Sequence, residues 1–346
     1  MASWQKILNQ AITSPLDLPS HLQPAMPESA AVIDLYPMRV NPYYLSLIKE
    51  KGDPLWLQAV AQAQELDDQV CMTDPLAEED LSPVTNLVHK YPNRVLFLVT
   101  SQCAMYCRFC TRKRKVGTPG MVISTETMAA GLAYIRTNPQ IKDVLISGGD
   151  PLLLSDERLE WLLGSLHAIP SVEIIRIGSR VPCTLPMRVT TRLCGILKKY
   201  HPLYINTHFN HAREITPEAA LACTRLADAG IPLGCQTVLL KGVNDDARTM
   251  ATLMSKLLTI RVKPYYLFQG DLTRGTNHFR TTIETGQAIM RQLIGHTSGM
   301  AVPTYAVDGP QGAGKIPLTP NYINSLDRQL CFTNYQGKTC FYENGG

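Results

Sequence analysis

The sequence has no long apolar run and no strong excess of charge of one sign. Although 45% of its 346 residues are hydrophobic, no run approaches the ~20 consecutive apolar residues that a membrane helix needs. Charged residues make up 18% and the formal net charge is +4, too little to indicate a nucleic acid or a membrane surface as partner. The first residues, Met-Ala-Ser-Trp-Gln-Lys, lack the apolar core of a signal peptide. We therefore expect a soluble, cytoplasmic protein.

Cysteine is also scarce, because ten cysteines in 346 residues are too few for a disulfide scaffold. This scarcity agrees with a reducing compartment. Seven of the ten occur singly, without the spacing of metal ligands, and such cysteines commonly act as small apolar side chains. These seven are Cys71, Cys183, Cys194, Cys223, Cys235, Cys331 and Cys340. Metal-ligand spacing is therefore confined to the other three.

Cys103, Cys107 and Cys110 follow a C-x3-C-x2-C spacing directly after an apolar run of strand length. A closed zinc site takes four protein ligands, and no second C-x2-C or regularly spaced His pair accompanies the triplet. A 4Fe-4S cluster held by three thiolates keeps one iron open. The spacing is typical of proteins in which S-adenosylmethionine (SAM) binds that iron. Structural thiols and a zinc-stabilised binding protein without catalysis are the alternatives.

From Arg94 onward, apolar runs of strand length alternate with amphipathic helical patterns. The runs cover residues 95–99, 144–146, 173–177, 203–206, 237–240 and 263–267. Helical spacing of apolar residues occurs at Leu159, Leu162, Leu163 and Leu166, and at Met250, Leu253, Met254 and Leu257. Six strand-helix units in series predict an α/β protein with a parallel sheet, curled into an open (β/α)6 partial barrel. Sites in such sheets lie at the carboxyl ends of the strands, where the three cysteines are.

Six prolines divide the first 42 residues into short pieces, so that only brief helices are expected, near residues 4–12 and 55–66. We predict an N-terminal arm of helical and extended segments over residues 1–90. The partial barrel follows over residues 91–300, and a C-terminal segment covers residues 301–346.

Polar residues follow three of the predicted strands. The segment Ser-Gly148-Gly149-Asp150 follows the second strand, and its glycines let the backbone approach a ligand while Asp150 can accept from an ammonium group. Such a segment is often a simple turn, but behind a cysteine triplet it predicts contact with the methionine part of SAM. His208 and Gln236 lie at the ends of the fourth and fifth strands. Each is a candidate for binding a cofactor and is about as well explained as a structural side chain.

A glycine-rich stretch from Asp308 to Lys315 matches the G-x4-G-K pattern of a nucleotide-binding loop. The match fails at Ile316, which replaces the Ser or Thr that would hold magnesium, and Pro317 and Pro320 prevent the helix that such a loop needs. What is left is a lysine after a strand, near the barrel mouth. A lysine so placed can form a Schiff base, most commonly with pyridoxal phosphate (PLP). We therefore predict Lys315 as a catalytic residue that holds PLP.

Taken in order, these motifs resemble those of the lysine 2,3-aminomutases, radical SAM enzymes that use PLP. The resemblance extends from about residue 41 to residue 322 and rests on several motifs in addition to the cysteines. These motifs are residues 41–47, 147–150, 206–211, 263–266, 271–272, 278–280, 295–299 and 308–315. The resemblance implies that the three cysteines bind the 4Fe-4S cluster, that SAM binds beside it, and that Lys315 holds PLP.

The resemblance also implies roles for substrate-binding residues. Arg112 is expected to pair with the substrate carboxylate, Asp271 and Asp308 with the distant ammonium of lysine, and Lys90 and Arg94 with the PLP phosphate. Two buried carboxylates need a cation between them, because otherwise each raises the pKa of the other. The implied activity is the interconversion of L-lysine and β-lysine by a 1,2-shift of the amino group. A reductant such as flavodoxin or ferredoxin is the expected partner, and a homo-oligomer is possible.

The sequence departs from the family pattern at several positions. Lys90, Phe109 and Phe268 stand where typical members carry Arg, His and Tyr, and Asp246 stands where some members supply a further cysteine for zinc. Two alternatives stay open at this point, another amino acid as substrate and another use of the product. The enzyme could use arginine, ornithine or glutamate, although Asp271 and Asp308 argue against an acidic side chain. It could also make β-lysine for attachment to elongation factor P, as a shorter relative does.

Overall fold

The protein is described by a computed structural model that covers residues 3–25 and 28–345. Predictions for residues 1, 2, 26, 27 and 346, at the ends of the chain and within the N-terminal arm, lie outside the described residues. Within the described chain, no helix is both long and apolar enough to cross a membrane. The division into three parts stays a prediction.

One sheet of nine strands, arranged in sequence order, dominates the described part of the chain. Its strands are β1 Leu87–Tyr91, β2 Arg94–Leu98, β3 Asp143–Ser147, β4 Ile174–Gly178, β5 Leu203–Thr207, β6 Leu233–Leu239, β7 Lys263–Gln269, β8 Thr304–Gly309 and β9 Gly314–Pro317. Strands β2 to β8 pair in parallel, whereas β1 and β9 pair antiparallel at the two ends of the order. A separate antiparallel sheet follows, with β10 Ile323–Leu326, β11 Gln329–Thr333 and β12 Thr339–Glu343.

Helices lie between the parallel strands and in the N-terminal region. They are α1 Ser3–Asn9, α2 Glu28–Leu35, α3 Pro42–Leu47, α4 Pro54–Ala59, α5 Thr125–Thr137, α6 Asp156–His167, α7 Val181–Thr184, α8 Thr191–Leu197, α9 Pro217–Asp228, α10 Ala247–Thr259 and α11 Ile283–Leu293. The leucines of α6 and the apolar residues of α10 that share one helical face are completely buried. The main core is formed by these faces and the sheet.

Strand β6 shows how the alternating pattern creates an interior cavity. Its side chains alternate along the strand, since successive residues of a strand point to opposite faces of the sheet. Cys235 and Leu239 are buried in the core, whereas Gln236 and Val238 line the cavity on the other face. Polar side chains can therefore face the barrel interior without disturbing the core.

The predicted fold class is confirmed, and the predicted strands correspond to β2 through β7. The structure adds β8 to the parallel set and places Lys315 on strand β9 rather than in a loop. Helix α9 begins after Thr216, whose hydroxyl accepts from the backbone N–H of Ala219 at 3.1 Å. Gly230 follows that helix with φ +80°, a conformation that glycine adopts without strain.

Candidate active site

A cavity of about 970 Å³ lies inside the partial barrel. Every residue that the sequence analysis predicted for the site lines this cavity, so the fold brings them together from seven separate segments. They are Cys103, Cys107, Cys110, Gly148, Gly149, Asp150, His208, Gln236, Lys90, Arg94, Arg112, Asp271, Asp308 and Lys315. Their presence in one cavity agrees with the predicted site, while the role of each residue stays a prediction.

The three cysteines lie in the loop between β2 and α5, and all of them are free thiols. Burial, with added repulsion from neighbouring negative groups, raises the pKa of Cys103 well above its usual range and that of Cys110 to about 11. Metal binding needs thiolates, so a bound cation or cluster would have to offset this cost. Within residues 3–25 and 28–345, no three His, Cys, Asp or Glu side chains are close enough to hold one metal ion. The thiolates of an iron-sulfur cluster bind different irons and need not converge on one point.

Buried cations surround the cysteine loop. Arg180 Nη1 donates to Cys107 Sγ at 2.8 Å, while Nη2 of the same guanidinium contacts Glu214 at 2.8 Å. Arg108 and Lys113, on either side of Cys110, share Glu65 as their common carboxylate partner. Burial lowers the pKa of Lys113 to about 8, so it is still mostly protonated at pH 7. Arg180 therefore places positive charge directly beside the Cys107 thiol.

The Gly-Gly-Asp segment has a structural role that the sequence analysis missed. The Asp150 carboxylate accepts four hydrogen bonds, from Leu152 N, Ser179 Oγ, Arg180 N and Val181 N, at 2.7–3.1 Å. A carboxylate has about four acceptor positions, so these donors fill it. Asp150 thereby fixes the turn that presents Arg180 to Cys107. Its contact with SAM stays a prediction.

Gly149 permits the close approach of two loops. A Cβ at this position would lie 2.3 Å from the backbone oxygen of Gln102, next to Cys103. We expect Gly149→Ala to displace the cysteine loop, at a cost of about 1–3 kcal/mol in the free energy of unfolding, and to lower iron content. Gly195→Ala is the control, because a Cβ there meets nothing within 4 Å and is expected to stabilise α8 by about 0.5–1 kcal/mol. Thermal unfolding and iron analysis of both variants check this; equal iron and stability in both would contradict it.

Unpaired polar atoms on one side of the cavity fit a polar cofactor beside the cysteines. Arg180 Nε, Asn206 Nδ2 and Thr207 Oγ1 are buried without a hydrogen-bond partner, and all three residues line the cavity. Burial, together with the nearby Arg180 charge, lowers the pKa of His208 to about 3. Its Nε2 donates to Asn210 Oδ1 at 2.9 Å, which leaves Nδ1 of the neutral ring as an acceptor. These unpaired donors and the His208 acceptor suit a polar ligand such as SAM.

Lys315 and the two predicted ammonium-binding carboxylates lie at another wall of the cavity. Lys315 is opposite Asp308 in the β8–β9 pairing, and its Nζ lies 2.5 Å from Asp308 Oδ2 and 4.8 Å from the Phe268 ring centroid. Burial, reinforced by the Asp308 charge, raises the pKa of Asp271 to about 7. Lys90 Nζ and the Arg94 guanidinium lie 5.3 Å and 3.8 Å from the Tyr91 ring centroid. Anionic and cationic groups therefore line the same wall of the cavity.

Arg112 is held by a residue that the sequence analysis did not select. Its Nε lies 2.8 Å from Glu78 Oε2 and 3.0 Å from Oε1, and its Nη2 lies 2.5 Å from Oε1. Only 16% of the Arg112 side chain and 6% of the Glu78 side chain are exposed. No motif marks Glu78, whereas the rule that sites lie at strand ends would have selected Arg180, which closely follows β4.

Comparison with known proteins identifies two matching family models. One, described as the radical SAM superfamily, matches residues 97–254, and the other, described as lysine-2,3-aminomutase, matches residues 290–345. The chain is 52% identical over 315 residues to an L-lysine 2,3-aminomutase of Methanococcus maripaludis, covering 90% of this chain and 73% of that protein. It is 50% identical over 309 residues to the Clostridium subterminale L-lysine 2,3-aminomutase, covering 88% of this chain and 74% of that protein. A glutamate 2,3-aminomutase of Clostridioides difficile is 48% identical to this chain over 288 residues, covering 83% of this chain and 68% of that protein.

Proposed function

The chain belongs to the lysine 2,3-aminomutase family of radical SAM enzymes, and from this membership we propose that it interconverts L-lysine and β-lysine with PLP as second cofactor. Family membership makes it an isomerase, and the radical SAM match implies a 4Fe-4S cluster and SAM. When bound, the cluster and SAM supply the radical that removes a hydrogen atom, and PLP supplies the π system through which nitrogen migrates. The chain's own residues bind and orient the amino acid.

The observation that carries the choice of substrate is the pair Asp271 and Asp308. Because the pKa of Asp271 is raised to about 7, its ionisation is less favourable than that of an exposed aspartate. A cation bound beside it would favour the ionised form. The ammonium of lysine supplies that cation, and binding it favours the ionised form. In the proposed arrangement Arg112 binds the carboxylate at the other end of the amino acid, Lys315 holds PLP, and Lys90 and Arg94 bind the PLP phosphate.

The same carboxylates argue against glutamate as the substrate. Similarity alone does not separate the two activities, because relatives named for lysine and for glutamate are 52% and 48% identical to this chain. A second substrate carboxylate would lie in a cavity that already contains Asp271, Asp308 and Glu78. Like charges at close range in a poorly hydrated site repel strongly. Arginine and ornithine carry the required cation and are the remaining competitors.

An anaerobic assay with SAM, PLP and a reductant, offered lysine, arginine, ornithine and glutamate separately, tests the proposal. The expected product is β-lysine, with lysine preferred over the other three amino acids. Turnover of glutamate in preference to lysine would overturn the proposal. Flavodoxin or ferredoxin as the physiological reductant, a cytoplasmic location and a homo-oligomer are further parts of the proposal.

Asp271 makes a prediction about pH. Because its pKa is raised to about 7, it is mostly protonated at pH 6 and mostly ionised at pH 8, so lysine affinity is expected to rise roughly tenfold over this range. The affinity is read from the absorbance of bound PLP, without reductant, so that no turnover occurs. Asp271→Asn should remove this pH dependence. Norleucine is the control ligand, because it lacks the side-chain ammonium while its α-amine, like that of lysine, stays mainly protonated between pH 6 and 8. An equal pH dependence for lysine and norleucine would contradict the prediction.

A further inference from the structure

We propose that Glu78 is a positioning residue for substrate recognition, which holds one edge of the Arg112 guanidinium so that its opposite edge faces the substrate α-carboxylate. The inference rests on the proposed function, in which Arg112 binds that carboxylate. It assigns to the active site a carboxylate that acts through Arg112.

The geometry of the Arg112 guanidinium leaves one of its edges for a substrate carboxylate. An arginine side chain is planar and offers its N–H groups along two edges, each suited to a bidentate carboxylate. Glu78 contacts the edge formed by Nε and Nη2. Among the described residues, Nη1 of Arg112 makes no hydrogen bond, and Arg112 lines the cavity with 16% of its side chain exposed. The edge formed by Nη1 and Nη2 is therefore free for a second carboxylate.

Glu78 is itself held firmly. It belongs to an acidic loop, defined here as residues 74–82, in which the Ser82 hydroxyl donates to the Glu78 carbonyl at 2.5 Å. Ala77, the preceding residue, has φ +52°, a conformation that costs free energy for a residue with a Cβ. The backbone N–H of Leu81 donates to the Ala77 carbonyl at 3.0 Å and so helps to keep this conformation. A backbone held in this way fixes the direction of the Glu78 side chain.

The acidic loop also connects both ends of the proposed substrate site. On one side Asp74 and Glu79 form ion pairs with Arg114, and Glu79 also pairs with Lys115, in the segment after Cys110. On the other side the Pro75 carbonyl accepts from the backbone N–H of Gln311, at 2.7 Å, in the turn that leads to Lys315. The distance between Arg112 and Lys315 is therefore constrained by one loop, as recognition of a single amino acid requires.

The competing interpretation is that Glu78 blocks Arg112 and must leave before substrate binds. That interpretation needs a place for the displaced carboxylate, and the Glu78 side chain is only 6% exposed. It also predicts the opposite result, because removing a blocking carboxylate would strengthen substrate binding. The two interpretations are separated by the sign of one measured change.

The experiment compares Glu78→Gln with Glu173→Gln, a matched control whose carboxylate is 62% exposed and whose partner Lys142 is 44% exposed. Neither Glu173 nor Lys142 lines the cavity. Binding of lysine and of cadaverine, the same diamine without the carboxylate, is measured from PLP absorbance in the absence of reductant. We expect Glu78→Gln to weaken lysine binding roughly tenfold and to leave cadaverine binding unchanged. Glu173→Gln should change neither by more than about twofold. Lysine binding that is unchanged or tighter in Glu78→Gln would overturn the inference.

Two further variants distinguish failure of this inference from failure of the proposed function. If Arg112→Gln leaves lysine affinity unchanged, the proposed carboxylate contact is wrong. If Arg112→Gln weakens lysine binding but Glu78→Gln does not, only the role of Glu78 fails. In the Arg112→Gln background, Glu78→Gln should have no additional effect on lysine, since it acts through Arg112. Should Glu78→Gln lower the unfolding temperature, Glu78→Asp keeps the charge but loses reach, and severalfold weaker lysine binding is again expected.

Discussion

Replacing Cys107 by Ala is expected to abolish iron-sulfur cluster assembly and SAM cleavage together. The loop offers three thiols and the cluster needs all three, so that one iron stays open for SAM. Cys107 is also the thiol that accepts the 2.8 Å hydrogen bond from Arg180. Its loss also removes one hydrogen bond from this buried guanidinium, which keeps Glu214 as its carboxylate partner. We expect the same outcome for Cys103→Ala and Cys110→Ala.

The measurement is iron and sulfide content of anaerobically purified protein, together with cleavage of SAM under reducing conditions. Wild-type protein is expected to be brown, with about four iron and four sulfide per chain. Cys223→Ala is the control, because this cysteine is completely buried in α9 and loses only packing contacts. Cluster content and SAM cleavage at wild-type level in Cys107→Ala would rule out the cluster assignment. Colourless wild-type protein carrying zinc would favour a binding protein without catalysis.

The parts of the fold that the sequence predicts are those determined by local patterns. Parallel strands covered on both faces are continuous apolar runs, and runs such as residues 95–99 and 144–146 therefore indicate their strands directly. Strand β8 is not among the six predicted apolar runs, because Thr304 and Asp308 interrupt its apolar pattern. Strand β9 was missed because its four residues lie between glycine and proline and are mostly exposed. Their positions depend on pairing with β7 and with each other, which no local pattern expresses.

In the site, too, residues marked by a local motif could be predicted, whereas residues that act through contacts distant in sequence could not. The cysteine spacing is local, and it was sufficient to predict the chemistry. Arg180 and Glu78 were not predicted as site residues, because they contact Cys107 and Arg112, which are 73 and 34 positions away in sequence. Asp150 was predicted to contact SAM, and the four hydrogen bonds that its carboxylate accepts within the protein could not be foreseen. A lone acidic or basic residue carries no sign of which partner the fold will bring to it.

Lys315→Ala is expected to eliminate covalent attachment of PLP and to lower aminomutase activity by roughly three orders of magnitude or more, on the scale seen when a covalent residue is removed. Lys315 Nζ lies beside Asp308 and over the Phe268 ring, at the cavity wall. Asp308 pairs with the Lys315 amine here, and its carboxylate would become available to the ammonium of lysine once that amine is bound to PLP. This double use explains how one aspartate can pair with Lys315 here and still serve the substrate.

The cavity offers two other lysines against which this assignment is tested, Lys90 and Lys263. Reduction of the PLP-loaded protein with borohydride, followed by peptide mass spectrometry, should place the adduct on Lys315 alone. Lys263→Ala is the matched control and should retain the adduct, because Lys263 begins β7, far along the strand from the end that carries Gln269 and the neighbouring Asp271. Lys315→Ala should still bind some PLP without a covalent bond, since Lys90 and Arg94 remain to attract its phosphate. An adduct mapped to Lys90 or Lys263 in the wild-type protein would show that the amine of Lys315 serves only to neutralise Asp308.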